Sequence, residues 1–224
     1  MIIAIDGPSG TGKSTVAKAL AQRLGFLSLD TGALYRALTL FLLERQADLA
    51  NSEQIAALIK DFRFRSETTE KGYRYYVGEQ DVTDAIRLPN VTAHVSTVAA
   101  LKIVRDVLLP LQRAYARKGN CVVEGRDIGT TVFPDAEIKI YLTADPKVRA
   151  ERRLLELADK YPKEIRDANP EAMRQELERR DAKDASRKIA PLSTPKDAFV
   201  IDTSHLTVDQ IINTIMDYIA KKSK

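Results

Sequence analysis

Cysteine and long apolar runs are scarce in this chain of 224 residues. The one cysteine, Cys121, lies in an apolar stretch, so we expect a buried, unreactive thiol and no disulfide within the chain. The longest apolar run, residues 38–43, is interrupted by Thr39 and is too short to span a membrane. The N-terminal apolar run ends at Asp6 and lacks a basic leader. We therefore predict no signal peptide and place the protein in the cytoplasm.

Histidine and two familiar nucleotide-binding motifs are also scarce or missing. His94 and His205 are the only histidines, and we interpret both as ordinary helix or surface residues. Neither Asp-x-x-Gly nor Asn-Lys-x-Asp occurs, which disfavours a guanine-specific switch protein. The 35 basic residues are interspersed with 31 acidic ones, so the net charge of +4 predicts no nucleic-acid partner. A small substrate rich in phosphate would account for these charges equally well.

Residues 7–14 read G-x-x-x-x-G-K-S, the spacing of a P-loop. A short apolar strand precedes the motif and a helical pattern follows it, which is the context that the motif requires. Lys13 should reach the β- and γ-phosphates of a nucleotide, and the Ser14 hydroxyl should ligate Mg²⁺. The residues expected to bind the nucleotide are Gly7, Pro8, Ser9, Gly10, Thr11, Gly12, Lys13, Ser14 and Thr15.

The remaining pattern alternates strands with helices and predicts one α/β domain with a parallel central sheet. Core strands are expected at residues 2–5, 26–29, 121–124, 138–142 and 198–201. Helices are expected at residues 16–24, 33–43, 55–62 and 90–118, the last broken or kinked at Pro110, followed by two charged helices separated by Pro162 and a terminal helix. Alternating residues between 62 and 83, with a turn at residues 70–72, predict a small antiparallel insert.

Polar residues mark where several of these helices should begin. Asp30 or Thr31 and the segment after Asn51 carry capping signals, and residues 207–210 form a potential capping box. Proline follows an N-cap residue at Asp145 and again at Asn169. Arg36 falls in the first turn of a predicted helix, where a cation opposes the helix dipole. We infer that an anion lies near it.

Arginine is unusually frequent in loops and at helix ends. The loop of residues 125–130 follows a core strand, and ligands of open α/β sheets collect at the carboxyl ends of the strands. Arg126 in this loop should therefore lie beside the P-loop. A guanidinium group binds phosphate oxygens bidentately and keeps its proton, which suits phosphoryl transfer. The other arginines in such settings are Arg36, Arg105, Arg152, Arg153, Arg180 and Arg187.

Four segments together resemble the bacterial cytidylate kinases: residues 7–14, residues 30–36, residues 125–130, and residues 180–187 with Ala190-Pro191-Leu192. The similarity extends from residue 2 to the last helix. It implies a P-loop NTPase-type three-layer fold with a parallel central sheet, a small β-containing part that binds the nucleoside monophosphate, and a helical lid. The implied divisions of this single domain are a core at residues 1–30, 90–145 and 196–224, a monophosphate-binding part at 31–89 containing the 62–83 insert, and a lid at 146–191.

The resemblance also implies an activity and site residues. The activity is ATP-dependent phosphorylation of CMP and dCMP with Mg²⁺, by a monomer without nucleic-acid or membrane partners. By similarity, Lys13, Arg126, Arg180 and Arg187 would be catalytic. The implied substrate contacts are Arg36, Arg126 and Arg187 to the acceptor phosphate, Ser96, Arg105 and Asp127 to cytosine, Arg180 and Asp184 to the sugar, together with Thr31 and Tyr35. Thr31 stands where many relatives carry serine, and Glu124, a candidate outer-shell contact to magnesium, stands where aspartate is often found.

Two alternatives remain open from the residues themselves. The chain could phosphorylate another small acceptor, such as shikimate or a different nucleotide, because a P-loop does not specify its acceptor. It could also bind ATP without transferring a phosphoryl group. A panel of acceptors tested with ATP separates these hypotheses.

Overall fold

A computed structural model of the chain describes residues 1–69, 72–160 and 169–222. Within these ranges lie eight strands: β1 (Ile2–Asp6), β2 (Leu27–Asp30), β3 (Phe64–Thr69), β4 (Gly72–Val77), β5 (Gln80–Asp81), β6 (Cys121–Gly125), β7 (Ile138–Thr143) and β8 (Phe199–Asp202). The helices are α1 (Lys13–Leu24), α2 (Thr31–Glu44), α3 (Ser52–Ile59), α4 (Pro89–Ala100), α5 (Lys102–Ala116), α6 (Pro146–Lys160), α7 (Pro170–Ala185) and α8 (Val208–Lys222). A 3₁₀ turn (Ala85–Arg87) and a π-helical turn (Ile128–Val132) complete the pattern.

The central sheet has the strand order β2-β6-β1-β7-β8, with β1 in the middle. Strand β1 pairs in parallel with β6 and β7, and β7 pairs in parallel with β8. Ile3, Ala4 and Ile5 are fully buried because a central parallel strand is covered on both faces. The predicted α/β class and parallel sheet are confirmed. The carboxyl ends of β1 and β6 lie side by side, since Asp6 pairs with Gly125.

The chain divides into two compact units, each with its own core. The first unit comprises residues 1–29 and 116–224. Its core packs α1 and α8 against the sheet through side chains that include Leu20, Ile140 and Ile215. Cys121 is fully buried in β6, and burial raises the pKa of its thiol to about 12. The predicted burial of this cysteine is thus confirmed.

The second unit comprises residues 30–115 and is built around α2. Leu34, Leu38 and Phe41 of this helix are buried together with residues of α3, α4 and α5. Strands β3, β4 and β5 form a separate antiparallel sheet, as predicted for residues 62–83. Residues 90–115 belong to this unit, whereas the sequence analysis grouped them with the core. The reason is that α4 packs against α2.

The long helix predicted for residues 90–118 is interrupted at a different place from the one expected. The break falls at Leu101, whose backbone is extended (φ −74°, ψ 123°), and α5 continues through Pro110. A proline leaves the carbonyl four residues earlier without its helical donor. Here that residue is Asp106, and both Asp106 and Pro110 are exposed, so water can satisfy the carbonyl.

The helix starts follow the predicted capping signals. The carboxylate of Asp30 accepts the backbone N–H of Ala33 at 2.8 Å, and Asn51 and Asn169 cap α3 and α7 in the same way. Thr207 and Gln210 exchange reciprocal bonds at the start of α8, as a capping box should. The predicted turn residues 70–71 and the separating Pro162 lie outside the described residues. In the described ranges, none of the helices combines the length and the apolar character that crossing a bilayer requires.

Candidate active site

Residues 7–14 connect β1 to α1, and glycines of this turn have backbone conformations that other residues rarely adopt. Gly12, with φ 88°, ends the turn immediately before α1. A Cβ atom on Gly7 would lie only 2.1 Å from the carbonyl oxygen of Leu142, so no side chain fits there. The turn therefore packs directly against β7. The N-terminus of α1, with its unpaired N–H groups and positive dipole end, is a ready site for an anion.

Lys13, the first residue of α1, is buried inside this turn. Its Nζ donates a hydrogen bond to the carbonyl oxygen of Pro8 at 2.6 Å. Burial, together with the nearby charge of Arg126, lowers the pKa of Lys13 to about 7, while Glu124 and Asp181 oppose the shift. The amine thus lies among cations that repel it. An anion bound here would relieve that repulsion.

Ser14 and Glu124 bring two oxygen ligands together beside the P-loop. The Ser14 hydroxyl donates to a carboxylate oxygen of Glu124, which is buried near the end of β6. Hydroxyl and carboxylate oxygens are hard ligands of the kind that Mg²⁺ prefers, and magnesium sites in kinases use one or two protein ligands with phosphates and water. The donors at this position therefore fit a magnesium ion.

Three charged side chains from three different elements converge on Ser9 of the P-loop. Asp181 of α7 accepts the Ser9 backbone N–H at 2.9 Å, and its other oxygen accepts a bond from Arg149 of α6. Arg149 also donates to the Ser9 carbonyl oxygen at 3.1 Å. Arg126 donates to the Ser9 hydroxyl at 2.8 Å. Ser9 thereby connects the P-loop to both charged helices and to the loop after β6.

The arginines predicted for phosphate binding in the first unit lie around Asp184. Arg126 Nε is 3.3 Å from an Asp184 oxygen, and Arg187 Nη1 is 3.8 Å from the other. Arg187 also donates from Nε to the Asp184 carbonyl oxygen at 3.1 Å. Burial and the charge of Arg126 lower the pKa of Arg180 to about 10, so this arginine still carries its proton at neutral pH. Two of these arginines, Arg126 and Arg180, lie near enough to the P-loop lysine for their charges to lower its pKa.

The loop after β6 turns into a short π-helix directly behind Arg126 and Asp127. Asp127 is buried, and its side chain makes no capping bond to this turn. The loop is held by Asp6, the last residue of β1, whose carboxylate accepts the N–H groups of Ile128 and Gly129 at 2.8 and 2.7 Å. Burial raises the pKa of Asp6 to about 6 despite these two bonds.

In the second unit, Arg36 is buried on α2 and its guanidinium has specific partners. Nη1 donates to the Ile86 carbonyl oxygen at 3.1 Å and to the Thr92 hydroxyl at 2.8 Å. The helix begins at Thr31, so Arg36 lies in the second turn and not in the first as predicted. The dipole effect fades beyond the first turn, so helix position no longer argues for an anion near Arg36.

Arg105, Tyr35 and Ser96 are buried in the same unit. The break after α4 exposes the carbonyl oxygen of Ala99, which accepts a bond from Arg105 Nε at 2.9 Å. The Arg105 guanidinium carbon lies 5.6 Å from the centre of the Tyr35 ring. The Ser96 hydroxyl oxygen is buried and has no hydrogen-bond partner among the residues that the structure describes.

The predicted site residues thus fall into two groups. The first unit brings together the P-loop, Arg126, Asp127, Arg180, Asp184 and Arg187, whereas Thr15 is exposed on α1. The second unit holds Thr31, Tyr35, Arg36, Ser96 and Arg105, all of them buried.

Sequence reasoning missed several residues of the site, including Asp6, Thr92, Arg149 and Asp181. Asp181 precedes Asp184 by three residues, and that helical spacing places both on one face, which was a usable signal. Asp6 ends a core strand next to the P-loop, where the rule that ligands collect at strand ends could have marked it. Arg152, by contrast, was among the arginines that the sequence analysis named. It donates to the Thr203 hydroxyl, which in turn donates to the Thr11 carbonyl oxygen of the P-loop.

Comparison with known proteins gives a consistent picture. The profile of the cytidylate kinase family matches residues 3–221. A cytidylate kinase of Protochlamydia amoebophila is 45% identical over 218 residues, covering 97% of this chain and 96% of that protein. One from Lactiplantibacillus plantarum is 42% identical over 220 residues, covering 98% and 95%. The crystal structure of an uncharacterized protein from Eubacterium ventriosum shares the fold, with a TM-score of 0.53, 14% identity, and coverage of 99% and 98%.

Proposed function

Because the chain belongs to the cytidylate kinase family, we propose that it transfers the γ-phosphoryl group of ATP to CMP and dCMP, releasing ADP and the nucleoside diphosphate. The observation that carries the proposal is the convergence of Lys13 with Arg126 and Arg180, where burial and the charges of these arginines lower the pKa of the lysine. In phosphoryl transfer the protein aligns the reactants and neutralises charge, and no general base is obligatory. A site of clustered cations without a histidine suits that chemistry.

In this proposal, most residues of the first unit act on the phosphates and the sugar, and one acts on the base. The P-loop amides and Lys13 bind the β- and γ-phosphates of ATP. Arg126 and Arg187 neutralise the acceptor phosphate, Arg180 and Asp184 hold the sugar, and Asp127 contacts the base. Asp184 aligns two of these arginines through the contacts described above. Arg126 is further oriented by its hydrogen bond to Ser9. This bond fixes the arginine that would bind the acceptor phosphate relative to the P-loop, which would bind ATP.

The residues of the second unit are proposed to recognise CMP. Arg36 would bind the acceptor phosphate, and its position is fixed by Thr92 and Ile86. Ser96 and Arg105 would contact cytosine, and Thr31 and Tyr35 would complete the substrate contacts. The buried hydroxyl of Ser96 supports this assignment, because such a group ordinarily finds a partner and a base would supply one.

Magnesium is part of the proposal. Ser14 would hold the ion, with Glu124 in its outer shell, and the adjacent oxygens of these two residues support the assignment. When bound, Mg²⁺ would neutralise charge on the phosphate groups. We place the enzyme in the cytoplasm as a monomer, where a free thiol such as Cys121 is the ordinary state of cysteine.

The experiment that tests the proposal is an acceptor panel with ATP and Mg²⁺, read by release of ADP. We expect CMP and dCMP to be phosphorylated with kcat/KM about tenfold or more above that of UMP, the discrimination typical of a matched base contact. AMP, GMP and shikimate should be poorer still. Faster turnover of any of these acceptors, or ATP binding without ADP release with every acceptor, would contradict the proposed activity.

We also propose that residues 146–191, of which 161–168 lie outside the described residues, form a mobile lid. Leu177 is the one buried apolar side chain of α7, and exposed ion pairs such as Arg174 to Glu171 cover much of its surface. A helix anchored largely by charge contacts opens at low free-energy cost. Closure over the nucleotides would exclude water that could otherwise accept the phosphoryl group.

The lid makes a prediction for hydrogen exchange. Backbone amides of α6 and α7 should exchange more slowly when a bisubstrate analogue, cytidine linked to adenosine through phosphates, is bound. ATP alone should protect these helices less than the analogue does. Amides of α8 provide the control, because this helix packs on the sheet and should exchange at similar rates in both states. Equal exchange of α6 and α7 with and without the analogue would rule out a lid.

A further inference from the structure

Asp6 is a buried acid that the proposed reaction does not use. It is the last residue of β1, with 1% of its surface exposed. Both carboxylate oxygens are engaged: Oδ1 accepts the Ile128 N–H at 2.8 Å and Oδ2 accepts the Gly129 N–H at 2.7 Å. These are the first two residues of the π-helix, directly after Arg126 and Asp127. A bidentate contact of this kind fixes the orientation of the loop as well as its distance from β1.

The contact fixes one particular peptide group. The N–H of Ile128 and the carbonyl of Asp127 belong to the same peptide. Its N–H is bonded to Asp6, and its oxygen accepts the N–H groups of Thr131 at 2.9 Å and Val132 at 3.1 Å. A peptide plane held at both ends resists rotation, which restricts the ψ angle of Asp127, 27° in the structure. Because the rotamers allowed to a side chain depend on its backbone angles, the contact also restricts the side chain of Asp127.

We propose that Asp6 is a positioning residue that sets base selectivity by orienting Asp127. The inference rests on the proposed function, because it assumes that Asp127 contacts the base. A carboxylate accepts stronger hydrogen bonds from backbone N–H groups than a neutral side chain does. Burying that charge is unfavourable, and the raised pKa of Asp6 reflects it. A neutral acceptor at this position would have a smaller desolvation cost but would hold the loop less rigidly. The buried charge is therefore consistent with a role in positioning the loop.

A different role for Asp6 is electrostatic support of the P-loop. Lys13 lies near enough for its charge to favour ionised Asp6, although its effect is smaller than that of burial or of the two backbone bonds. The two roles predict different kinetics. Support of Lys13 would alter the use of ATP with every acceptor alike. Orientation of Asp127 would alter the choice between acceptors and leave ATP unaffected.

The test is Asp6→Asn, with kcat/KM measured for CMP and UMP and KM measured for ATP. An amide has one acceptor oxygen, and its NH₂ group would face a backbone N–H, donor against donor. We expect the CMP to UMP ratio to fall about tenfold, the size of a typical matched base contact. The KM for ATP should stay within about threefold of wild type. Asp202→Asn is the matched control, since Asp202 also ends a strand of the sheet and accepts a backbone N–H, that of Ser204 at 2.9 Å.

A double mutant separates action through Asp127 from an independent effect. If Asp6 acts by orienting Asp127, adding Asp6→Asn to Asp127→Asn should change the CMP to UMP ratio little further. Fully additive changes in the two single mutants would overturn the proposal. So would an Asp6→Asn enzyme that melts at a lower temperature but keeps its CMP to UMP ratio, or one in which only the KM for ATP rises.

Two further measurements keep the outcome interpretable. If Asp6→Asn does not fold, Asp6→Ser is the second variant. Its side chain is smaller and has one oxygen in place of two, so the bidentate contact to the two N–H groups is lost and the same fall in the CMP to UMP ratio is expected. The wild-type enzyme is assayed first. Failure of wild type to phosphorylate CMP would refute the proposed function, whereas wild-type activity with an unchanged ratio in both variants would refute only the role of Asp6.

Discussion

Lys13→Ala should lower kcat by about a hundredfold or more at saturating ATP and CMP. The amine is held inside the P-loop by the Pro8 carbonyl oxygen and would meet the phosphoryl group as it transfers. Loss of one preorganised contact to developing charge typically removes a few kcal/mol of transition-state stabilisation. Lys18→Ala, on the same helix but outside the P-loop, is the control and should retain turnover within about threefold. Turnover of Lys13→Ala within about threefold of wild type would contradict the assigned role.

The same variant should change how stability depends on pH. The pKa of Lys13 is lowered from 10.5 to about 7 in the folded chain. Between these values the unfolded chain binds a proton that the folded chain lacks, so this lysine makes stability rise with pH across the window. Alanine removes that contribution. Relative to wild type, Lys13→Ala should therefore gain melting temperature as the pH is lowered from 10 towards 7, and a constant difference would argue against a depressed pKa.

Asp127→Asn should shift the choice of acceptor from CMP towards UMP. Cytosine presents an N4 amino donor, which matches a carboxylate, whereas uracil presents O4 at the same place. A matched contact is worth about 1 to 3 kcal/mol, and leaving a buried partner unpaired costs a similar amount. We expect kcat/KM for CMP to fall and that for UMP to be spared or raised, because an amide can donate to O4.

The control for this prediction is Asp202→Asn, which should leave the CMP to UMP ratio unchanged. The competing role for Asp127 is to support its loop. The loop already has other supports, since Asp6 holds its N–H groups and the donors of Arg126 are bonded to Ser9, Gly125 and Asp184. If Asp127→Asn reduced kcat/KM for both acceptors by the same factor, a supporting role would be the better explanation.

Local patterns were enough to predict the elements that surround the P-loop. The apolar run of β1, the glycine spacing and the caps at Asp30 and Asn51 are properties of neighbouring residues, and each was found where the sequence placed it. The break at Leu101 has no such signal, because the residues around it favour helix. Its effect becomes visible only in three dimensions, where the freed Ala99 carbonyl holds Arg105.

Contacts between distant parts of the chain could not be predicted in this way. Asp6 and Ile128 are 122 residues apart, and Asp181 is 172 residues from Ser9. Nothing in either local sequence states which acid will accept which N–H. The resemblance to a family supplied residues that would touch substrates, but it did not name Asp6, Thr92 or Asp181, which bond to residues of the site.

Because Cys121 is buried, the rate at which its thiol is modified reports on opening of the central sheet. The thiol lies in β6, opposite Ile2 of the central strand, and its pKa of about 12 leaves almost no thiolate at neutral pH. Thiol reagents attack the thiolate and need access to the sulfur. Since no second cysteine competes, the rate of modification measures how often β6 separates from its neighbours. Strand β6 also carries Glu124 and leads into Arg126, so the same rate follows the opening of the strand that presents the loop of Arg126 and Asp127.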